Sequence, residues 1–225
     1  MLEPLADGIW TSTAPVKAMG FIPMTSRMTV IRLGDGGLLV HSPVKLGPDL
    51  HRGLTALGPV RHVVAPNRFH HMACADYRAA YPEARLHGAP GVAKKRPDLA
   101  LDGELGDAPH DAWAGEVDQA LVGGIPMLNE VAFLHRASGT LVVTDTAAHG
   151  TGDDPAAQRV WSRLNGVQGR LATPREIRLV CRDRQAARRS FDRILGWGFD
   201  RVVVGHGAVV TSGGKERARE AFAWA

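Results

Sequence analysis

No stretch of this chain reaches the roughly 18 consecutive apolar residues that a membrane-spanning helix needs, so no transmembrane segment is expected. The opening residues Met1-Leu2-Glu3-Pro4 have neither the basic start nor the apolar run of a secretory signal, which makes the cytoplasm the expected location. Cysteine is scarce. Cys74 and Cys181 stand far apart without CxxC spacing, which argues against a zinc ribbon and for two free buried thiols rather than a disulfide. No Gly-x-Gly-x-x-Gly loop follows the early strand-like segments, which weakens the case for a single parallel dinucleotide-binding sheet. Internal repeats, low-complexity tracts and linker-like stretches are also missing, so residues 1–225 read as one domain.

The charge balance is modest. The net charge of +4 comes largely from arginine, with eight between Arg175 and Arg201. Such a face can bind phosphate. Here Glu176, Asp183, Asp192 and Asp200 interleave with the arginines, and no aromatic residues alternate with them. The segment therefore reads as a solvated helix surface, and no nucleic-acid partner is expected. An apolar fraction of 44% with 22% charged residues is that of a folded globular chain.

What is present alternates between strand-like and helix-like segments. Residues 28–33 (MTVIRL) and 38–41 (LLVH) form a hairpin pattern around Gly34-Asp35-Gly36-Gly37. Leu46, Leu50, Leu54 and Leu57 then recur at helical spacing, with Pro48 near the start and Gly58-Pro59 as a stop. Residues 60–65 (VRHVVA) read as a strand and 70–80 as a helix. Residues 99–115 carry little periodicity and read as loop. A second hairpin pairs 131–134 with 140–144. A helix over 183–195 has Asp183 as its N-cap, 202–204 read as a strand, and 215–224 as the last helix.

Three of the strands end in residues that can bind metal or carry protons. They are Val63-Val64-Ala65-Pro66-Asn67-Arg68-Phe69-His70-His71, Leu141-Val142-Val143-Thr144-Asp145 and Val202-Val203-Val204-Gly205-His206-Gly207. Sites in open αβ sheets form outside the carboxyl ends of strands. If the three strands are neighbours, His70, His71, Asp145 and His206 converge on one rim. Imidazole nitrogen and carboxylate oxygen suit zinc, iron or manganese.

This order of strand and His cluster, hairpin and Asp, then strand and Gly-His-Gly resembles the metallo-β-lactamase superfamily. The likeness runs through most of the chain and is nearest to a divergent bacterial branch without an assigned activity. Leu39-Val40-His41-Ser42-Pro43 and Asn129-Glu130-Val131-Ala132-Phe133 are similar to that branch as well. The resemblance implies an α+β fold, a four-layer αββα sandwich. In the family pattern H-x-H-x-D-H, His71 takes the place of the final His and His70 that of Asp, with Asp145 and His206 as the later ligands. The first two histidines of the pattern are replaced by Pro66 and Arg68, and the intermediate His is absent.

The resemblance therefore implies a metal-dependent hydrolase-like protein with one retained metal (zinc, or another divalent transition metal such as iron or manganese), or none if the site is vestigial. The expected ligands are His70, His71, Asp145 and His206, with Asp145 or Glu130 orienting or deprotonating water against an ester, lactone, amide or phosphate. Arg68 and His149 are candidates for binding a small-molecule substrate, and Arg68 could instead occupy the lost cation position beside Asp145. The alternative is a non-catalytic member binding a small anion or a protein partner. His41 is read as structural, and the remaining histidines are given no role. The oligomeric state is not legible.

Overall fold

A computed structural model describes residues 1–18, 20 and 22–225. Two sheets carry the chain. The first contains seven strands in sequence order: β1 (Glu3–Ala6), β2 (Ile9–Ala18), β3 (Ile22–Arg32), β4 (Leu38–His41), β5 (Val60–Ala65), β6 (Arg85–Gly88) and β7 (Gly103–Glu104). Strands β1 to β4 are antiparallel, and β4 to β7 run parallel. Parallel neighbours need crossovers. These are supplied by α1 (Pro48–Leu57), α2 (Cys74–Ala80) and α3 (Val92–Lys95). The second sheet has the order β11-β10-β9-β8, from β8 (Val117–Leu121), β9 (Val131–His135), β10 (Thr140–Val142) and β11 (Arg201–Val203). Helices α4 (Ala156–Asn165), α5 (Arg175–Leu179), α6 (Arg184–Leu195) and α7 (Gly214–Phe222) complete the chain.

The side-chain alternation of β9 explains why these layers stack. Val131 and Phe133 point into a core shared with Met28, Val30 and Val63 of the first sheet, and that core extends to Leu50 and Leu54 of α1 and Tyr77 of α2. Ala132 and Leu134 point the other way, into a second core with Ala187, Phe191 and Ile194 of α6 and Phe222 of α7. A strand buried on both faces reads as a continuous apolar run, as the VAFL of Val131–His135 does. The expected αββα sandwich is what forms.

Several boundaries differ from the sequence reading. Residues 70–73 form turns, and α2 begins only at Cys74. The chain before residue 28 forms the long β2–β3 hairpin, which sequence reading did not resolve, and β8 follows the expected loop. Asp183 caps α6 as expected, accepting from Ala186 N at 2.9 Å. Both thiols are free, with Cys74 buried and Cys181 half-buried. No helix among the described residues is long and apolar enough to cross a membrane.

Two contacts place the functional end of the molecule. Arg27 on β3 reaches the far sheet: its backbone N donates to Gly205 O at 2.8 Å and its guanidinium to Val204 O at 2.9 Å. Thr25 N donates to Gln158 Oε1 of α4 at 2.7 Å. The strand ends of both sheets and the α4–α5 region therefore meet around one pocket.

Candidate metal centre

The strand that ends at Ala65 is followed by Pro66 and Asn67. The Asn67 side-chain oxygen accepts from Phe69 N at 2.7 Å and His70 N at 2.8 Å, closing an Asx turn. That turn is why His70 and His71 do not sit on a helix. It aims His70 inward. The His70 ring lies where Gly205 comes close: a Cβ at Gly205 would stand 2.9 Å from His70 Cε1. Gly207, at φ +90°, gives the same freedom to the backbone of His149, which a Cβ there would meet at 1.9 Å. The Gly-His-Gly sequence thus makes room for two neighbours of His206.

His70, Asp145 and His206 converge, each offering one atom within 4.8 Å of the others. Asp145 Oδ1 is 3.3 Å from His70 Nε2 and 3.2 Å from His206 Nε2. The opposite ring nitrogens are held. His206 Nδ1 lies 2.6 Å from Thr25 O, a carbonyl that can only accept, so Nδ1 carries a proton and donates it. Ser42 Oγ donates to Arg27 O at 3.0 Å and so accepts from His70 Nδ1 at 2.7 Å. Ser42 itself sits at φ 55°, a left-handed conformation uncommon for serine. Asp145 Oδ2 accepts from Asn67 Nδ2 at 2.7 Å, leaving Oδ1 for the two rings. Burial alone would raise the Asp145 carboxyl, but the two facing histidines hold it well below the usual carboxylate range. Burial alone would lower His206, yet the hydrogen bond and charge of Asp145, with the Thr25 carbonyl, raise it above the ordinary imidazole value.

This donor set fits a cation. Ligand distances of about 2.0–2.2 Å place neighbouring ligand atoms roughly 3.0–3.5 Å apart, depending on coordination number. The two pairs at 3.2 and 3.3 Å match that spacing. Metal-binding histidines characteristically donate their second ring N–H to a fixed acceptor, as both rings do here.

The other sequence-predicted residues lie elsewhere. His71 turns away: its Nδ1 faces Arg96 NH1 at 3.2 Å, and burial, followed by Lys95 and Arg96, pushes it down to about 4. Glu130 is buried, only 1% exposed. Its Oε1 accepts from Thr144 N, and its Oε2 from Asp145 N, Thr146 N, Thr144 Oγ1 and Asn67 Nδ2, at 2.6–3.1 Å. It therefore positions the loop that carries Asp145 and does not line the pocket. Arg68 does not occupy the lost cation position. Its guanidinium donates to Pro126 O at 3.1 Å, and no Arg68–Asp145 ion pair forms. His149 contributes its backbone, bonded to His206 O and Ala208 N, while its ring Nδ1 is buried without a partner and burial lowers its pKa. His41 is buried against Phe133 and pushed down to about 3 by burial and then by His70, consistent with a structural role.

The triad lies on the floor of a pocket of about 820 Å³. Sequence reasoning missed Ser42, Asn67, Thr25 and Glu176, which surround or line it. Ser42 and Asn67 carried a faint signal, as polar residues just beyond apolar strands. Glu176 on α5 lines the pocket and accepts from Trp161 Nε1 at 3.2 Å, and burial raises its carboxyl above the ordinary range.

A family model described as a domain of unknown function (DUF4336) matches residues 6–177. The chain belongs to the DUF4336 family. No curated protein matches the sequence. Solved structures match this DUF4336 chain in fold. A metallo-β-lactamase from Erythrobacter litoralis is 15% identical with a TM-score of 0.66, covering 100% of this chain and 96% of its own. One from Pontibacter korlensis is 12% identical with a TM-score of 0.64, over 99% and 98%. A metallo-β-lactamase from Pseudomonas aeruginosa in a mono-zinc form is 11% identical with a TM-score of 0.62, over 99% and 96%. Identities this low speak for the fold alone, and the fold is that of the metallo-β-lactamases.

Acid should destabilise this DUF4336 chain steeply. His87 is pushed down to about 4 by burial, then by His110 and His62, and it joins His41 and His71 as a buried neutral imidazole. A histidine near 6.5 when unfolded and lower when folded takes up its proton preferentially in the unfolded chain. Its stabilisation is complete above about pH 6.5 and lost as pH falls towards 4. His206 shifts the other way, and its effect falls above about pH 6.5, so it does not offset this loss. Urea unfolding should therefore show stability falling by about 2–4 kcal/mol per pH unit between pH 6 and 4.5, as two to three such groups titrate. Equal stability at pH 7 and pH 5 would mean that these rings titrate in the fold much as they do in the unfolded chain.

Proposed function

We propose that this protein is a metal-dependent hydrolase-like enzyme that uses one metal held by His70, Asp145 and His206. The observation that carries the reading is the convergence of His70 Nε2, Asp145 Oδ1 and His206 Nε2 on the floor of the pocket, with the second nitrogen of each ring tied down. Two imidazoles and one carboxylate suit zinc, iron or manganese and leave coordination positions open. A divalent transition metal there supplies Lewis acidity, which brings the pKa of a water towards about 7 and polarises a carbonyl or phosphoryl oxygen. The substrate is an ester, lactone, amide or phosphate.

The chain's own residues divide the remaining work. Ser42 and the Thr25 carbonyl fix the two rings, and Asn67 and Glu130 fix Asp145. Asp145 is fully engaged, and Glu130 is sealed beneath the loop. Of the remaining carboxylates in the lining, Asp76 and Glu176, Glu176 is the one near enough to feel the charges of Asp145 and His206; it accepts or returns the proton in this reading, and its raised pKa suits that task.

Elemental analysis of the purified or reconstituted protein should find one equivalent of transition metal, and activated-ester hydrolysis should depend on it. Glu176→Gln should retain the metal, lower kcat at least tenfold and remove the acidic limb of the pH profile. No metal after reconstitution would replace this reading with that of a non-catalytic anion-binding protein. Full activity in Glu176→Gln would remove Glu176 from the mechanism.

A further inference from the structure

The pocket is larger and more apolar than a water-activating site alone requires. Its walls are formed by Ala14, Val16, Met24, Val44, Trp161 and Ile177, contributed by β2, β3, the segment after β4, α4 and α5. At 820 Å³ it falls within the roughly 300–1,000 Å³ of pockets that enclose a drug-sized molecule. Its apolar surface continues outwards. Phe69, Met72 and Met127 also line it, yet are 43%, 75% and 45% exposed. Large apolar side chains left in water around an opening mark a binding surface.

The opening is also cationic. Lys17, Lys45 and Lys95 line the pocket, and none of them forms an ion pair among the described residues. Lys95 is partly fixed, its Nζ 4.7 Å from the centre of the Phe69 ring and donating to Arg68 O at 2.7 Å. Besides Asp145, which faces His70 and His206, two acidic residues share the lining. Glu176 is engaged with Trp161, and Asp76 pairs with no cation in the described residues.

A small polar anion would leave the apolar walls wet. A neutral hydrocarbon would make no use of the three ammonium groups at the opening. We infer that the pocket recognises an amphiphilic anion, a molecule with an extended apolar chain against the walls and an anionic group met by Lys45 and Lys95 at the mouth. This rests on the hydrolytic reading for the claim that such a molecule is the substrate, but binding itself requires no metal.

Calorimetric titration of the chelator-treated protein with decanoate, butyrate and decanol tests the inference without turnover. Decanoate should bind at least tenfold more tightly than butyrate and at least fivefold more tightly than decanol. The double variant Lys45→Glu/Lys95→Glu changes two exposed side chains, and should weaken decanoate at least fivefold while leaving decanol unchanged. Ala14→Trp, which fills one wall, should weaken both long-chain ligands. Equal affinity for decanoate and butyrate, or decanoate binding unaffected by the lysine changes, would overturn the inference. One equivalent of metal with no chain-length preference would overturn the substrate class and leave the hydrolytic reading standing. Decanoate binding in a protein that takes up no metal would do the reverse.

Discussion

Replacing Glu130 by Gln is expected to destabilise the protein by about 3–5 kcal/mol. Hydrogen bonds to a charged group are worth about 1.5–3 kcal/mol each, and a buried donor left without an acceptor costs about 1–3 kcal/mol. Glu130 accepts five such bonds while only 1% exposed. In the amide variant, either one oxygen must serve all the donors or an NH2 group must face the backbone N–H groups of Asp145 and Thr146. The substitution barely changes volume, so packing does not confound the result. Urea unfolding of wild type and Glu130→Gln gives the difference directly. The same variant should weaken metal binding at least tenfold, because the Asp145 backbone is released. A loss below about 1 kcal/mol would show that the Thr144–Thr146 loop holds its shape without the carboxylate.

His206→Ala should abolish the metal-dependent part of thermal stability. A ligand that binds only the folded state contributes RT ln(1 + [L]/Kd), about 2.7 kcal/mol at a hundredfold excess over Kd. For a chain of this size that corresponds to about 5–11 °C in Tm. Wild type should gain that increment when zinc is added to chelator-treated protein, and His206→Ala should gain none. The variant should also melt below wild type without metal, since it removes the 3.2 Å partner of a buried carboxylate. The metal increment, and not the absolute Tm, is thus the diagnostic quantity. An undiminished increment in His206→Ala would place the metal elsewhere.

The order of strand ends was readable because it depends on local pattern. LLVH, VRHVVA, TLVVT and VVVG each announce a strand, and each is followed within a few residues by a group that can bind metal or hold one that does. Asp145 and His206 were legible for that reason. His70 and His71 were harder to separate, because adjacent histidines look alike in one dimension. The two side chains part only because the Asn67 turn keeps residues 70–73 out of the helix, so that His70 faces Asp145 and His71 faces Arg96. Arg68 misled for a similar reason. Its place in the motif suggested a replacement cation, while its actual partner is the carbonyl of Pro126, 58 residues away.

By itself, then, the sequence determined an alternation of strands and helices, the absence of a long apolar run, and metal-capable residues at three strand ends, since hydrophobic periodicity and strand-terminal placement are properties of short segments; the αββα layering was implied only by the family resemblance those segments carry. Only the tertiary structure decided which histidine joins Asp145, that Glu130 supports the loop from below, and that Thr25 and Ser42 fix the two rings. Those outcomes depend on contacts such as His206 Nδ1 with Thr25 O, made across 181 residues of chain. Burial and hydrogen-bond direction at such contacts are set by how two sheets pack, and no local pattern encodes them.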